Sequence, residues 1–143
     1  MFVLWLPVTV ATVPDRGRET SDHRAGGERV LVVDDEPFVR RAMARVLALG
    51  GYQVTAVDGG HEALRVYDRP GAFDLVVLDM SMPGLGGEEV RTRLLAIDPA
   101  ARVVFVTGYT AQALSPAPGV ECVEKPFDVA DMLATIRRLL DQP

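Results

Sequence analysis

Five short, β-branched apolar runs recur along the chain, and most of the segments between them are amphipathic. The runs cover residues 30–33, 54–57, 75–78, 103–106 and 120–123. Runs of this length and composition are typical of strands that are buried on both faces, because helices cover both sides of a parallel sheet. The alternation therefore predicts an α/β protein with right-handed crossovers between parallel strands.

The segments between the runs carry helix start and stop signals. Pro37 suits the first turn of a first helix, which Gly50 and Gly51 end. A second helix opens at Gly60, and a third begins near Gly87 and ends before Pro99. A fourth helix has helical character only over residues 109–114, before a stretch rich in proline and glycine. We therefore expect a short fourth helix.

Apolar residues at helical spacing predict which helix faces are buried. Asp128 is placed to cap the last helix. The predicted buried residues are Val39, Met43, Val46 and Leu47 in the first helix, Val90, Leu94 and Ile97 in the third, and Met132, Leu133, Ile136 and Leu140 in the last.

Chemically active side chains stand where four of the five runs end. Asp34 and Asp35 follow the first run, Asp79 follows the third, Thr107 the fourth, and Lys125 comes after the fifth. Open α/β sheets bind ligands at the carboxyl edge of their strands. We expect these side chains to meet there, and three clustered carboxylates would repel one another unless a cation served them.

Together these strand-end motifs resemble the receiver domain of two-component response regulators. The matching stretches are Val30–Glu36, Asp79–Pro83 with Gly87, Val106–Gly108 and Glu124–Phe127. The resemblance covers residues 29–143 and implies a flavodoxin-like (βα)5 fold with strand order 2-1-3-4-5. Any one motif is weak, but all of them in the right order, each on its own strand, make a specific signal.

The resemblance also implies a magnesium-dependent phosphoryl acceptor. Asp79 would be the nucleophile that becomes an aspartyl phosphate. Asp35, Asp79 and the backbone carbonyl of Ser81 would bind Mg²⁺, with Asp34 acting mostly through water. Hard oxygen ligands suit this ion, and its charge offsets the repulsion between a carboxylate and a phosphoryl group.

Other residues of the resemblance surround the phosphoryl group. Lys125 would supply a positive charge to one phosphoryl oxygen, Thr107 would donate a hydrogen bond to another, and Gly108 would leave room for the donor. The Lys125–Pro126 bond is expected to be cis, which turns the lysine toward the phosphate. Cys122 stands where receivers carry the aromatic residue whose rotamer reports phosphorylation, so the usual switch is expected to be altered.

The function expected from this resemblance is phosphoacceptance from a histidine kinase. The domain would be the C-terminal receiver of a hybrid histidine kinase, passing phosphate to a histidine phosphotransfer protein, or a stand-alone regulator acting by protein contacts. It would be a signalling domain that assists its own phosphorylation and dephosphorylation. A phosphohydrolase with an aspartate nucleophile is a weaker alternative, because Asp79-Met80-Ser81 lacks the second acid of the Asp-x-Asp motif. The complete acidic and Lys/Thr set argues against a degenerate docking module.

Residues 1–28 differ from the rest of the chain. Phe2–Pro7 looks like the closing strand of a sensor kinase ATP-binding domain, and Pro14–Gly27 lacks any apolar period and predicts a flexible linker. An apolar tail or a miscalled start codon is the alternative. The apolar segment is too short to span a bilayer, so no membrane contact is expected.

Composition agrees with one signalling domain. A chain of 143 residues with 48% hydrophobic residues is long enough for one core. A net charge of −5 gives no basic surface for nucleic acid, and no DNA-binding motif follows the last helix. The single cysteine, Cys122, suits the reducing cytoplasm.

Overall fold

The computed structural model describes residues 27–108 and 119–142. Its strands are β1 (Arg29–Val33), β2 (Gln53–Val57), β3 (Leu75–Asp79), β4 (Val103–Thr107) and β5 (Val120–Glu124). Its helices are α1 (Pro37–Leu49), α2 (Gly60–Val66), α3 (Gly87–Ile97) and α4 (Val129–Leu140). The short helix predicted over 109–114 and the segment 1–26 lie outside the described residues, so α4 corresponds to the last predicted helix. Within the described ranges, no helix has both the length and the apolar character needed to cross a bilayer.

All strands of the sheet are parallel, and their order is β2-β1-β3-β4-β5. Every predicted run lies inside the corresponding strand, and the predicted flavodoxin-like order is confirmed. In register, Val33 of β1 pairs with Leu78 of β3, and Asp79 pairs with Val106 of β4. The carboxyl ends of the three central strands therefore stand side by side.

Two apolar layers cover the faces of the sheet. Val30 and Val32 pack with side chains of α1 and α4, whereas Leu31 and Val33 pack with side chains of α2 and α3. The alternation follows from the two-residue period of a strand, which points successive side chains to opposite faces. Residues of β1, β3 and β4 are consequently buried on both sides, as the continuous apolar runs predicted.

Helices α1 and α3 begin and end as predicted, and α2 begins at Gly60 as predicted, but the buried faces of α1 and α4 are rotated slightly. In α1 the buried residues include Arg40 and Ala44, and in α4 they include Thr135 and Leu139. The predicted buried residues Val39, Ile97, Leu133 and Leu140 are only half-buried but pack against the core, and Val46 is half-buried as well. Apolar residues flank both sides of each stripe, so the docked sheet rather than the helical period sets the rotation. Asp128 caps α4 as predicted, accepting a hydrogen bond of 2.7 Å from the Ala130 N–H.

A buried hydrogen-bond cluster closes the amino edge of the sheet. Asp98, at the end of α3, accepts a hydrogen bond of 2.6 Å from the Tyr67 hydroxyl. It also accepts bonds of 3.0 Å from the Gly71 N–H and 3.0 Å from the Ala100 N–H. This carboxylate ties the segments after α2 and α3 together at the edge opposite the strand-end acids.

Candidate functional site

The carboxyl edge of the sheet brings the predicted acidic residues together. Carboxylate oxygens of Asp34, Asp35 and Asp79 lie within 4.8 Å of one another. Asp34 and Asp79 are buried because β1 and β3 are neighbours in the centre of the sheet, whereas Asp35 is exposed at the mouth of the site. The sheet topology thus places two acids at the floor and one at the rim.

Asp34 is held tightly but is not fully hydrogen-bonded. Its N–H donates to the Val57 carbonyl at 3.2 Å, and its Oδ1 accepts from the Glu36 N–H at 2.9 Å. Its Oδ2 is buried and has no hydrogen-bond partner among the residues that the structure describes. A buried oxygen without a hydrogen bond destabilises the folded state unless an ion, or water bound to an ion, interacts with it.

The pKa of Asp34 reflects its burial and the neighbouring carboxylates. Burial raises the pKa of Asp34 to about 6 from its ordinary value of 3.8, and the charges of Asp79 and Asp35 add to the rise. The hydrogen bond from the Glu36 N–H and the charge of Lys125 oppose it. A cation bound here would reverse the balance by favouring the charged carboxylate.

Asp79 is oriented by its neighbours through one oxygen. Its Oδ1 lies 3.1 Å from the Ser81 backbone N–H, 3.4 Å from the Ser81 hydroxyl and 3.6 Å from Lys125 Nζ. The lysine is partly exposed, so it reaches into the site from the rim. Lys125 is also the only lysine in the chain. These contacts place one positive charge beside the carboxylate at the floor of the cluster.

Thr107 and the segment after β5 form the other wall of the site. Thr107 is buried at the end of β4, and its carbonyl accepts a hydrogen bond of 2.7 Å from the Lys125 N–H. The Lys125–Pro126 bond is cis, so that prediction is confirmed. Gly108 is exposed, and a Cβ built on it meets no described atom within 4 Å. The threonine and the lysine are therefore brought to the same edge as the acids.

Cys122 is half-buried in β5, where it pairs with Phe105 and packs against the layer formed by α2 and α3. Burial raises the pKa of its thiol, and the charges of Glu124 and Glu121 add to the rise. The residue therefore stays a neutral thiol at pH 7. It behaves as a small, partly buried apolar group rather than as a reactive one.

Sequence reasoning missed the structural reasons for two residues of this region. Gly87 belongs to the matching motif because a Cβ there would lie 2.9 Å from the Asp79 carbonyl oxygen and 3.0 Å from the Met80 Cα. Only glycine lets the start of α3 approach the acceptor strand this closely. Arg40 is buried near the start of α1 and donates a hydrogen bond of 2.8 Å to the Asp34 carbonyl. Arg40 lies three residues before Met43 and seven before Leu47, at helical spacing with the predicted apolar face, and this spacing was the signal that the sequence offered.

The donor set fits a magnesium ion. All three clustered groups are carboxylates, which are hard oxygen ligands of the kind that Mg²⁺ prefers over nitrogen or sulfur. The buried, unpartnered Oδ2 of Asp34 adds an oxygen that the described protein atoms leave incomplete. The residues present would therefore accept a small divalent cation.

The chain is similar in sequence to known proteins. The response regulator receiver domain family matches residues 30–137. The response regulator receiver protein CpdR of Brucella abortus is 35% identical over 118 residues, which are 79% of this chain and 97% of that protein. The sensor kinase CckA of the same organism is 31% identical over 129 residues, which are 87% of this chain but only 14% of the kinase.

Solved structures agree in fold and in sequence. The response regulator TrrA of Thermotoga maritima, crystallised with Mg²⁺-BeF, has a TM-score of 0.71 at 32% identity, covering 78% of this chain and 98% of TrrA. TrrA in complex with the histidine kinase ThkA has a TM-score of 0.71 at 31% identity, covering 80% of this chain and 99% of TrrA. The family match covers most of the chain, including the whole acidic cluster and all the strands except the first residue of β1, so the chain belongs to the response regulator receiver domain family of two-component systems.

Proposed function

We propose that Asp79 accepts a phosphoryl group from the phosphohistidine of a histidine kinase. A carboxylate oxygen of Asp79 forms the new bond to phosphorus while the P–N bond of the donor breaks and the histidine nitrogen keeps the electron pair. The observation that carries the proposal is the position of Asp79, buried among two further aspartates with Lys125 Nζ 3.6 Å from its Oδ1. A nucleophile in this setting has its orientation and its counter-charge prepared before the donor arrives.

Each neighbour has a separate part in this reaction. Asp34, Asp35, Asp79 and the Ser81 carbonyl would hold Mg²⁺, which when bound would offset the charge of the carboxylates and of the incoming phosphoryl group. Lys125 places its ammonium against one phosphoryl oxygen, which draws it from its present contact with Asp79.

Two residues at the end of β4 act on the donor itself. Thr107 donates its hydroxyl proton in a hydrogen bond to another phosphoryl oxygen. Gly108, being exposed and without a side chain, keeps the approach open for the phosphohistidine.

Acetyl phosphate with Mg²⁺ tests the acceptor. The parent protein should gain the mass of one phosphoryl group, and Asp79→Asn should gain none, since the amide is not a nucleophile for phosphorus. Asp58→Asn is the matched control, because Asp58 is exposed after β2 at the same edge of the sheet. Mg²⁺-dependent phosphorylation of Asp79→Asn, measured by intact mass, would overturn the assignment.

The single lysine gives an independent test of the phosphoryl contacts. An amine-acylating reagent can modify only Lys125 and the N-terminal amine. Mg²⁺ with beryllofluoride, which mimics the aspartyl phosphate, should slow the labelling of Lys125 several-fold and leave the N-terminal amine unchanged as an internal control. Equal labelling of Lys125 with and without the mimic, read by peptide mass mapping, would contradict the proposed role.

We further propose that the domain acts in the cytoplasm as the receiver of a hybrid histidine kinase. The likeness of Phe2–Pro7 to the end of a kinase ATP-binding domain and the similarity to part of CckA support this context. A continuous kinase reading frame upstream of Met1 is the expected finding. A stop codon there would favour the stand-alone regulator instead.

In the hybrid context the phosphoryl group passes on to a histidine phosphotransfer protein. A purified phosphotransfer protein from the same genome should remove a radiolabelled phosphoryl group from the receiver within minutes. Label that stays on the receiver with every such protein would contradict this partner.

A further inference from the structure

Arg40 is a charged residue in a position that the helix turns toward the core. It lies on the buried face of α1 with Met43, Ala44 and Leu47, and only 7% of the residue is exposed. Burial of a guanidinium costs free energy unless hydrogen bonds and opposite charge compensate it. An apolar residue at this place would need no such compensation, so the contacts of the arginine are informative about its role.

One contact of Arg40 is with the backbone of the acidic site. Its NH1 donates a hydrogen bond of 2.8 Å to the carbonyl oxygen of Asp34. That oxygen belongs to the peptide unit that joins Asp34 to Asp35, and a peptide unit is planar. Holding the oxygen therefore fixes the plane from which both aspartates extend.

The same peptide segment is also held from its other end. The Asp34 N–H donates to the Val57 carbonyl at 3.2 Å, and the Asp34 Oδ1 accepts from the Glu36 N–H at 2.9 Å. With Arg40 bound to the carbonyl, both backbone groups of Asp34 have a partner. The turn between β1 and α1 then presents its two carboxylates in one arrangement.

We propose that Arg40 is a positioning residue for the divalent cation, acting through the Asp34 carbonyl to set the relative orientation of Asp34 and Asp35. The inference rests on the proposed metal site and adds a residue that touches neither the metal nor the phosphoryl group. Removing a residue that hydrogen-bonds to a metal ligand and orients it typically weakens metal binding by about 10- to 100-fold. Arg40 belongs to this class, although it holds a backbone group rather than a ligand side chain.

The test separates metal affinity from stability. Arg40→Met removes the donors but keeps a long side chain that suits a buried helix face. Binding of Mn²⁺, an oxygen-preferring stand-in for Mg²⁺, is measured on the full chain by the loss of the free-ion electron paramagnetic resonance signal. Arg41→Met is the matched control, since Arg41 is the next residue of the same helix and is exposed.

We expect Arg40→Met to weaken Mn²⁺ binding by about 10-fold or more, measured on protein that urea unfolding shows to be folded. Arg41→Met should bind as the parent does. A dissociation constant for Arg40→Met within twofold of the control would overturn the proposal. A purely structural role predicts a lowered urea midpoint with unchanged binding.

Two further variants complete the test. Arg40→Lys keeps the charge and a donor but loses the planar fork, so its affinity should lie between those of the parent and Arg40→Met. If Arg40→Met does not fold, Arg40→Lys is compared with Arg41→Lys, and equal affinities would overturn the proposal. Asp35→Asn checks the site itself: if it binds Mn²⁺ as tightly as the parent, the proposed metal site fails, whatever Arg40 does.

Discussion

Two buried aspartates at opposite edges of the sheet have opposite electrostatic character. At the carboxyl edge, burial raises the pKa of Asp34 to about 6, and one of its oxygens has no hydrogen-bond partner in the described part of the chain. At the amino edge, burial also acts to raise the pKa of Asp98, but hydrogen bonds from Tyr67, Gly71 and Ala100 outweigh it and the pKa is lowered. Both residues are less than a tenth exposed, so burial alone does not explain the difference.

The two carboxylates differ in how many hydrogen bonds they accept from the protein. Asp98 receives its hydrogen bonds from the protein, so its negative charge stabilises the fold, and burial together with this bond raises the pKa of the Tyr67 hydroxyl. One oxygen of Asp34 has no hydrogen-bond partner among the described residues, and two like charges lie beside it, so ionising this carboxyl group costs stability when no cation is bound. A buried carboxylate that lacks hydrogen bonds is a candidate for binding a ligand, whereas one that has all of them stabilises the structure.

The largest effect is expected at Asp98. Asp98→Ala should lower the free energy of unfolding by about 3–5 kcal/mol, because it leaves the Tyr67 hydroxyl and the Gly71 and Ala100 N–H groups without their acceptor. Urea unfolding measures the loss, with the exposed Asp68→Ala as the control. If Asp98→Ala is too unstable to purify, Tyr67→Phe should show a smaller loss of about 1–2 kcal/mol. If Asp98→Ala lowers the free energy of unfolding no more than the control does, the hydrogen bonds of Asp98 do not stabilise the fold and the contrast with Asp34 fails.

The second effect is a pH dependence at the functional site. Without metal, folded Asp34 holds a proton that the unfolded chain has already released between the ordinary pKa of 3.8 and about pH 6. The stability of the parent relative to Asp34→Asn should therefore fall by up to about 3 kcal/mol as pH rises through this window, and stay level above it. Saturating Mg²⁺ should restore most of the loss in the parent.

Unfolding curves from pH 3.5 to 7.5 in a chelator check this prediction. Asp58→Asn is the control variant, because Asp58 is exposed at the same edge. A parent that gains stability relative to Asp34→Asn between pH 4 and 6 would show that the ionised Asp34 is satisfied after all. Asp98 acts with the opposite sign: its contribution is present above its ordinary pKa and is lost as pH falls below it.

An intermediate effect is expected where α3 meets the acceptor strand. Gly87→Ala should cost about 1–3 kcal/mol and slow phosphorylation by acetyl phosphate, since the new methyl group would press on the Asp79 carbonyl and the Met80 backbone. Gly86→Ala is the matched control, because a Cβ at Gly86 meets no described atom within 4 Å. Equal stabilities and rates for the two variants would show that the loop gives way without cost.

The smallest effect is expected at Cys122. This residue has no ring to move toward Thr107 when a phosphoryl group draws the hydroxyl inward, and a ligand shifts an equilibrium only through its different affinity for two states. We therefore expect little change in oligomeric state when beryllofluoride and Mg²⁺ are added. Sedimentation velocity measures this, with buffer lacking beryllium as the control. A strong shift from monomer to dimer would show that the charge change at the site is transmitted by another route.

The sequence by itself determined the parallel sheet and the acidic cluster. Short apolar runs placed each strand, and because parallel strands end at one edge, residues as distant as Asp34, Asp79 and Lys125 had to meet there. The identity of the charged groups and their order along the chain carried this information. No knowledge of side-chain packing was needed for it.

Tertiary structure alone decided the rotation of the helices and the completeness of each buried carboxylate. Arg40 turned inward because α1 docks with that face on the sheet, although the apolar pattern favoured Val39. Asp98 found Tyr67 across 31 residues of chain. The periodicity of the local sequence does not predict contacts of this kind. A hydrogen bond between distant segments depends on positions accurate to about an ångström, and these are set only when the helices pack on the sheet.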